Sequence, residues 1–407
     1  MGEILFLAHR VPFPPDRGDK IRSHHLLKGL AKLGPVHVGT FAETQQDMRQ
    51  KDALGLVAKT HTLIEREKSL WRAGIEALFG RSPVSLAAFN HLEMHRFVAK
   101  TLHNHRIGTI FVFSGQMGQY VPDDFTGRVV IDLCDVDSAK FEAYAKAGQR
   151  KWINRREGKL LAAEEERLAH RADTTLLISE NEAELFRSRL HHPDEVDVRA
   201  LGNGIDAELF DPEQVATQPD LEEADGPQLL FTGQMDYPPN VAAAEWVIEN
   251  IMPVLRKTYS HARFHIVGRA PAVSLKDRHG ENGVRVWGEV DDVRPFLKSA
   301  DLVVAPLLIA RGVQNKVLEA MAMAKTVVLT PGAATGIDAR DGVHFAIAPP
   351  DRAAMLQRIE ALLANDAQRL AMGAAARAFV LANMSWNSIY DQLARLIDGE
   401  KRGRNAA

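Results

Sequence analysis

Residues 306–331 read PLLIARGVQNKVLEAMAMAKTVVLTP, and the order of residue types in this stretch decides the fold. The apolar run Leu302–Pro306 has the length and composition of a strand, Arg311 and Gly312 make a turn, and Val317, Leu318, Met321 and Ala322 recur at helical spacing on one face. Thr326–Leu329 follows as a β-branched run. Strand, turn, helix and strand in this order form a crossover unit, whose two strands run parallel in a sheet with helices on its faces.

Such a unit brings the N-terminus of its helix to the carboxyl ends of the strands, where unpaired N–H groups carry about half a positive charge. A diphosphate suits that position. Gly312 permits close backbone approach to an anion, Arg311 and Lys316 add positive charge, and Glu319 stands one turn along the helix from Asn315 and Lys316, able to accept from sugar hydroxyls. The bland alternative is an ordinary crossover helix with an exposed acid.

The run Lys316-Val-Leu-Glu319-Ala-Met-Ala resembles the donor-site signature of family 4-like glycosyltransferases, in which a glycine turn precedes K-x-L-E-A-M-A and a V-V strand. The resemblance implies that Glu319 meets the nucleotide ribose and that Gly312, Val313, Gln314 and Asn315 carry the donor. Arg311 stands where many members have a first glutamate, and Ala324 and Thr326 replace a glycine and a proline.

A chain of 407 residues accommodates two domains with a core in each. A net charge of −3 with 25% charged residues argues against general nucleic-acid binding, which demands a basic excess. Cys134 is the sole cysteine, so no internal disulfide forms, which is compatible with a reducing cytosol. Met1–Lys20 lacks a basic leader and a secretory core, and no apolar run approaches the roughly 20 residues of a membrane span. The expectation is a cytoplasmic protein that at most sits peripherally on a membrane face.

The first half repeats the plan. Glu3–Ala8 is a strand, Pro12, Pro14, Pro15 and Gly18 stiffen a loop, a helix starts with Asp19 as its N-cap and stops at Gly34, and Val36–Phe41 is the next strand. Arg17, Gly18, Lys20 and Arg22 could face a phosphate, or be a solvated helix start. Val129–Leu133 leads into Cys134-Asp135-Val136-Asp137-Ser138, where Asp137 or Ser138 caps a helix from Ala139 and Asp135 reaches toward the ligand. Asp135-Val-Asp137 also fits a metal-binding D-x-D, and His91 and His95 have zinc-pair spacing; the absence of an evident third ligand and the second strand–helix array weigh against a metal. Lys146, Arg150, Lys151, Arg155, Arg156 and Lys159 surround Trp152 and Ile153, a patch for anionic lipid headgroups or a lipid-diphosphate acceptor, or a solvated helix face.

Gly202-Asn-Gly204-Ile-Asp206 resembles the turn that leads into the family's second domain, with 207–226 as linker. At Gly233–Asn240 many members grip the diphosphate with an arginine and a lysine; Gln234 and Asn240 replace them, so Arg311, Lys316 and Arg269 are the compensating cations. Glu289-Val-Asp291-Asp292-Val resembles the segment that meets the base, and Asp291 is equally suited to cap the next helix. The last helix carries Trp386, Ile389, Leu393 and Ile397.

Taken along the whole chain, the resemblance implies the GT-B architecture: an α/β fold of two doubly wound Rossmann-like domains facing a cleft, an acceptor-side domain over 1–206, a nucleotide-sugar domain over 227–380, and a helix over 381–407 returning to the first. It implies retaining transfer of a sugar from a nucleoside diphosphate sugar to a hydroxyl of a glycan or lipid-linked acceptor, without metal or cofactor, with Asp135, Lys316 and Arg311 in the chemistry. I-D-L-C-D-V-D-S, F-T-G-Q-M-D-Y-P-P-N and A-R-G-V-Q-N-K-V-L-E-A-M-A are similar to the subgroup associated with PEP-CTERM/exosortase exopolysaccharide systems. A non-catalytic nucleotide-sugar binder and a sugar-nucleotide epimerase on the same scaffold stay open as alternatives.

Overall fold

The computed structural model describes residues 2–66, 68, 74, 76–77, 82–146, 148, 150–308 and 313–399. Arg81 of the expected Arg81-Ser82-Pro83 turn, and Arg311 and Gly312, lie outside the described residues. The chain forms two compact units, Met1–Asn203 with Ile389–Ala407, and Gly204–Ser388.

In the first unit β1 (Glu3–Ala8), β2 (Val36–Ala42), β3 (Thr60–Glu65), β4 (Ile107–Phe113), β5 (Arg128–Cys134), β6 (Thr174–Leu177) and β7 (Val198–Ala200) build one sheet in the order β3-β2-β1-β4-β5-β6-β7. Every pairing is parallel. The order reverses between β1 and β4, so loops diverge there at the carboxyl ends of the strands. Ile4–Ala8 and Ile110–Phe113 are buried along their length, as strands covered on both faces must be.

A buried ion pair ties the helix Gly18–Leu33 to β5. Arg22 Nε donates to Asp132 Oδ2 at 2.8 Å and Arg22 Nη1 to Asn203 Oδ1 at 2.9 Å, with Arg22 1% and Asp132 0% exposed. Asp132 Oδ1 also accepts from the Cys134 N–H at 3.0 Å, which holds the strand end where Cys134 takes a φ of 65°. Arg22 is therefore a structural residue, not a phosphate ligand.

Capping differs from the sequence expectation in two places. The first helix starts at Gly18 with Arg17 as N-cap and no side-chain cap; Asp19 lies inside the first turn, bonded to Arg10 and Arg17. The helix Asp137–Lys146 is capped from outside by Glu165, which accepts from the Ser138 N–H at 2.9 Å and the Ser138 hydroxyl at 2.5 Å. Burial pushes the Glu165 carboxyl up to about 7 against these bonds.

In the second unit β8 (Gln228–Thr232), β9 (Arg263–Val267), β10 (Val284–Gly288), β11 (Leu302–Ala305), β12 (Val327–Leu329) and β13 (Ala346–Ile347) pair in parallel in the order β10-β9-β8-β11-β12-β13. The topology of the first sheet recurs, with β8 and β11 at the reversal. The helix Asn315–Ala322 crosses from β11 to β12 and buries Val317, Leu318, Met321 and Ala322. Residues 207–226 do not behave as a free linker: Phe210, Val215 and Leu221 are buried in the core of this unit.

Replacing Arg22 with Met strands the Asp132 carboxylate in an apolar interior, and stability falls by about 3–5 kcal/mol in urea titrations. Arg22→Met combined with Asp132→Leu recovers most of that loss. An equal loss in single and double variants would show that the deficit arises from packing instead of charge.

Candidate active site

The carboxyl ends of β8 and β9 are closed by two glycines. Gly233 follows β8 with φ 150° and Gly268 follows β9 with φ 151°. A Cβ on Gly268 would lie 1.6 Å from the Gly233 carbonyl oxygen, and one on Gly233 would lie 2.8 Å from Lys316 Nζ. Only glycine fits either position. Their approach opens a pocket of about 470 Å3 lined by Thr232, Gly233, Gln234, Asn240, Val267, Gly268, Arg269, Glu289, Val290, Val293, Val313, Asn315, Lys316 and Glu319, a volume suited to a small-molecule ligand.

Lys316 occupies the first turn of the helix Asn315–Ala322. Its ammonium donates to Asn240 Oδ1 at 2.5 Å and lies 4.5 Å from the centre of the Phe231 ring. Burial depresses it to about 8, opposed by the Glu319 carboxylate. Glu319 is in turn raised by burial, with Lys316 pulling the other way. Arg269 Nη2 donates to Gln234 Oε1 at 2.9 Å, and Asn240 Nδ2 to the Gln234 carbonyl at 2.9 Å. The two amides that stand where the family has charges thus position the pocket's two cations. Being neutral, they orient the cations without cancelling their charge, and Glu319 is the acid that acts on Lys316.

Most of the predicted donor residues converge here: Gly233, Gln234, Asn240, Arg269, Glu289, Val313, Asn315, Lys316 and Glu319 all line the pocket. Gln314 is the N-cap of the helix and does not line it. Arg311 and Gly312 fall outside the described residues. The segment after β10 corrects one assignment, because Asp292, not Asp291, bonds the Arg294 N–H at 2.9 Å at the start of the helix Arg294–Ser299.

The residues expected to meet a phosphate in the first unit are already neutralised. Lys20 is buried with Nζ 2.7 Å from Asp47 Oδ1, and Arg17 lies 3.2 Å from Asp19 and 3.4 Å from Glu43. Gly18 opens the helix beside them with free space around its Cα. Arg17 and Lys20 line a smaller pocket shared with Asp16, Glu43 and Asp47, in which acids outnumber bases. Asp135 is half-buried and bonded at 2.8 Å to Lys140, which also reaches Asp137 at 3.2 Å. His91 caps a helix by accepting from the Glu93 N–H, and the His95 ring lies 4.5 Å from that of Tyr120, so the two histidines do not converge as a metal pair.

Sequence reasoning missed Thr232, Gly268, Val290 and Val293 as lining residues. Thr232 has a buried hydroxyl without a partner. Gly268 carried a legible signal, a glycine directly after a strand, matching Gly233. In the first unit it also missed His9, which follows β1, stacks 5.8 Å from Phe113, and sits 3.6 Å from Asp19.

Residues 226–365 match the sequence model of the family described as "Glycosyl transferases group 1". No curated protein matched the sequence. Solved structures align along nearly the whole chain at low identity. Sucrose-phosphate synthase from Thermosynechococcus elongatus superposes with a TM-score of 0.62 at 18% identity, covering 98% of each chain. A glycosyltransferase from Rickettsia africae gives 0.63 at 13%, covering 98% of this chain and 99% of the other. Anabaena HepE in complex with UDP and glucose gives 0.58 at 16%, covering 98% and 100%.

The protein has the GT-B fold, two parallel-sheet Rossmann-like units. Its second unit holds the stretch that matches the group 1 glycosyltransferase model.

The depressed lysine gives a pH signature. Between about pH 8 and the ordinary lysine value of 10.5, the native state releases a proton that the unfolded state keeps, so stability rises with pH in that window. Lys316→Met removes this contribution, about 2 kcal/mol after allowance for partial solvent screening. Lys325 is depressed to about 8 by burial too but is common to both proteins, so the difference between their urea-unfolding profiles isolates Lys316. Parallel profiles would refute a desolvated, protonated Lys316.

Proposed function

We propose that this protein is a retaining glycosyltransferase that takes a nucleoside diphosphate sugar in the pocket of its second unit and transfers the sugar to a hydroxyl of a glycan or lipid-linked acceptor. The observation that carries the reading is the pair of cations, Lys316 and Arg269, held by uncharged amides beside a helix N-terminus. Negative charge grows on the departing diphosphate as the anomeric C–O bond breaks, and preorganised donors stabilise it without reorganisation. Lys316, desolvated in the empty pocket, gains most from an anion. Side chains supply this positive charge in the proposed reaction, with no metal called on.

Glu319 would accept from the ribose hydroxyls, as the sequence resemblance implies, and the backbone after β10 near Glu289 would meet the base. UDP is the first nucleotide to test, since HepE is described in complex with UDP-glucose as well as UDP. Asp135 remains our candidate for contact with the sugar or acceptor, acting while bonded to Lys140. Exopolysaccharide synthesis of the exosortase-associated kind is the biological setting that the sequence segments suggest.

The reading extends to a cytoplasmic face of a membrane. Trp152 and Ile153 are 71% and 50% exposed, with Lys146, Arg150, Lys151, Arg155 and Lys159 also exposed around them. Arg156 is not part of this surface, because its guanidinium turns inward to the Ala77 carbonyl at 2.7 Å. Among the described residues no helix is long and apolar enough to cross a membrane. Five cations near an anionic surface, each worth about 1 kcal/mol, together with two inserted apolar side chains, suit reversible surface binding.

Three measurements test this. UDP at 100 times its dissociation constant should stabilise the protein by about 2.7 kcal/mol, with Glu319→Ala abolishing the effect; GDP and ADP serve as comparators. Lys316→Met and Arg269→Met should each weaken diphosphate binding by about tenfold or more while leaving uridine binding within twofold, and equal losses for both ligands would sink the charge assignment. In co-sedimentation, vesicles with a third phosphatidylserine should retain wild type and release Trp152→Ala/Lys151→Glu/Arg155→Glu, whereas neutral vesicles should retain neither.

A further inference from the structure

At the amino ends of the first sheet, opposite the strand ends that face ligands, three side chains with metal-binding donors meet around one point. Glu3 opens β1, His37 lies near the start of β2, and His105 directly follows the helix Leu92–Asn104. His37 Nε2 is 2.6 Å and His105 Nδ1 is 3.3 Å from the same oxygen, Glu3 Oε2. The three donor atoms lie within 4.8 Å of one another, and the two imidazole centroids are 4.2 Å apart. We propose that Glu3, His37 and His105 form a structural site for a divalent transition metal of the zinc type, with water completing the coordination.

Two nitrogens and one carboxylate oxygen are a donor set that zinc accepts. Around a tetrahedral ion with bonds of about 2.0–2.1 Å, donor atoms stand about 3.3 Å apart. His105 already has that separation from Glu3, and the His37–Glu3 contact must open by less than an ångström. His37 is fully buried, and its other ring nitrogen, Nδ1, is 2.7 Å from Thr60 Oγ1. In the empty site the Thr60 hydroxyl donates to Nδ1 and the Nε2–H donates to Glu3. With an ion bound, the ring proton moves to Nδ1, the Thr60 hydroxyl turns to accept it, and Nε2 presents its lone pair to the metal. No net proton leaves His37, and Thr60 supplies the outer bond that fixes a ligating imidazole.

The backbone frame is rigid. The Glu3 N–H donates to the Arg106 carbonyl at 3.0 Å and the Lys59 N–H to the Val36 carbonyl at 2.8 Å, and Gly2 packs so closely on Gly108 that a Cβ would lie 2.6 Å from its nitrogen. The ligands therefore sit on elements that cannot drift apart. Lys59 is the built-in competitor: its ammonium lies 2.6 Å from Glu3 Oε1 and is largely solvent-facing. It holds the Glu3 carboxylate by an ion pair when the ion is absent, and it repels the ion when present. Bound metal would clamp β1, β2 and the end of the helix Leu92–Asn104 at the end of the sheet away from the sugar-transfer chemistry.

The test uses full-length, tag-free protein stripped with chelator, with zinc chloride as the probe, read by isothermal titration and by thermal unfolding. Wild type should bind one zinc per chain and unfold at a higher temperature when loaded. His105→Ala, at a partly exposed position, should weaken affinity by more than about 100-fold, and Thr60→Val by about tenfold. Lys59→Met, on the surface, should tighten it several-fold by removing the repelling charge. Zinc binding that survives His105→Ala, affinity indifferent to Lys59→Met, or no binding at micromolar zinc would each overturn the proposal; far-ultraviolet circular dichroism confirms that each variant is folded.

Discussion

The approach of two backbones, Gly233 against Gly268, is the constraint on which the candidate donor site depends. With no Cβ on either residue the ends of β8 and β9 come into contact, and Lys316, whose Nζ would lie 2.8 Å from a Cβ on Gly233, lines the pocket they leave. A buried ammonium costs free energy unless it is bonded, so Asn240 and the face of Phe231 receive it. The pocket's shape, its charge and its depressed lysine therefore share one cause. That cause is steric.

The two sheets have the same topology and treat their cations in opposite ways. At the carboxyl ends of the first sheet, Lys20 and Arg17 are matched by Asp47, Asp19 and Glu43, and Arg22 is sealed against Asp132. At the corresponding ends of the second, Lys316 and Arg269 have amide partners only in hydrogen bonds, with Glu319 as the nearby acid. A carboxylate partner would cancel the field that an anion feels, whereas an amide orients the cation and leaves the field intact. Gln234 and Asn240 thus orient the positive charge without cancelling it.

Both ends of the first sheet are rich in histidine and acid, with different consequences. At the carboxyl end His9 stacks on Phe113 and meets Phe89 edge-on beside Asp19. At the amino end His37, His105 and Glu3 converge on one point while Lys59 balances the charge. Parallel strands create this opportunity, since every strand starts at the same edge and side chains distant in sequence are delivered side by side.

The sequence by itself determined the crossover units and the strand–helix alternation, because burial on both faces writes continuous apolar runs and helices write a 3.6-residue period, and both are local signals. It also placed Lys316 and Glu319, since a polar first helical turn after a strand marks where a parallel sheet meets ligands, whereas Gly233 rested on the resemblance of its segment. What only the tertiary structure decided is which partner each charge has. Lys20, Arg22 and Lys316 look alike in sequence, yet their partners Asp47, Asp132 and Asn240 lie 27, 110 and 76 residues away. The cap at Ser138 comes from Glu165, 27 residues on, and the stretch 207–226 is polar along the chain but lays Phe210, Val215 and Leu221 into a core. Periodicity is a property of neighbours in sequence, whereas neutralisation and desolvation are properties of neighbours in space.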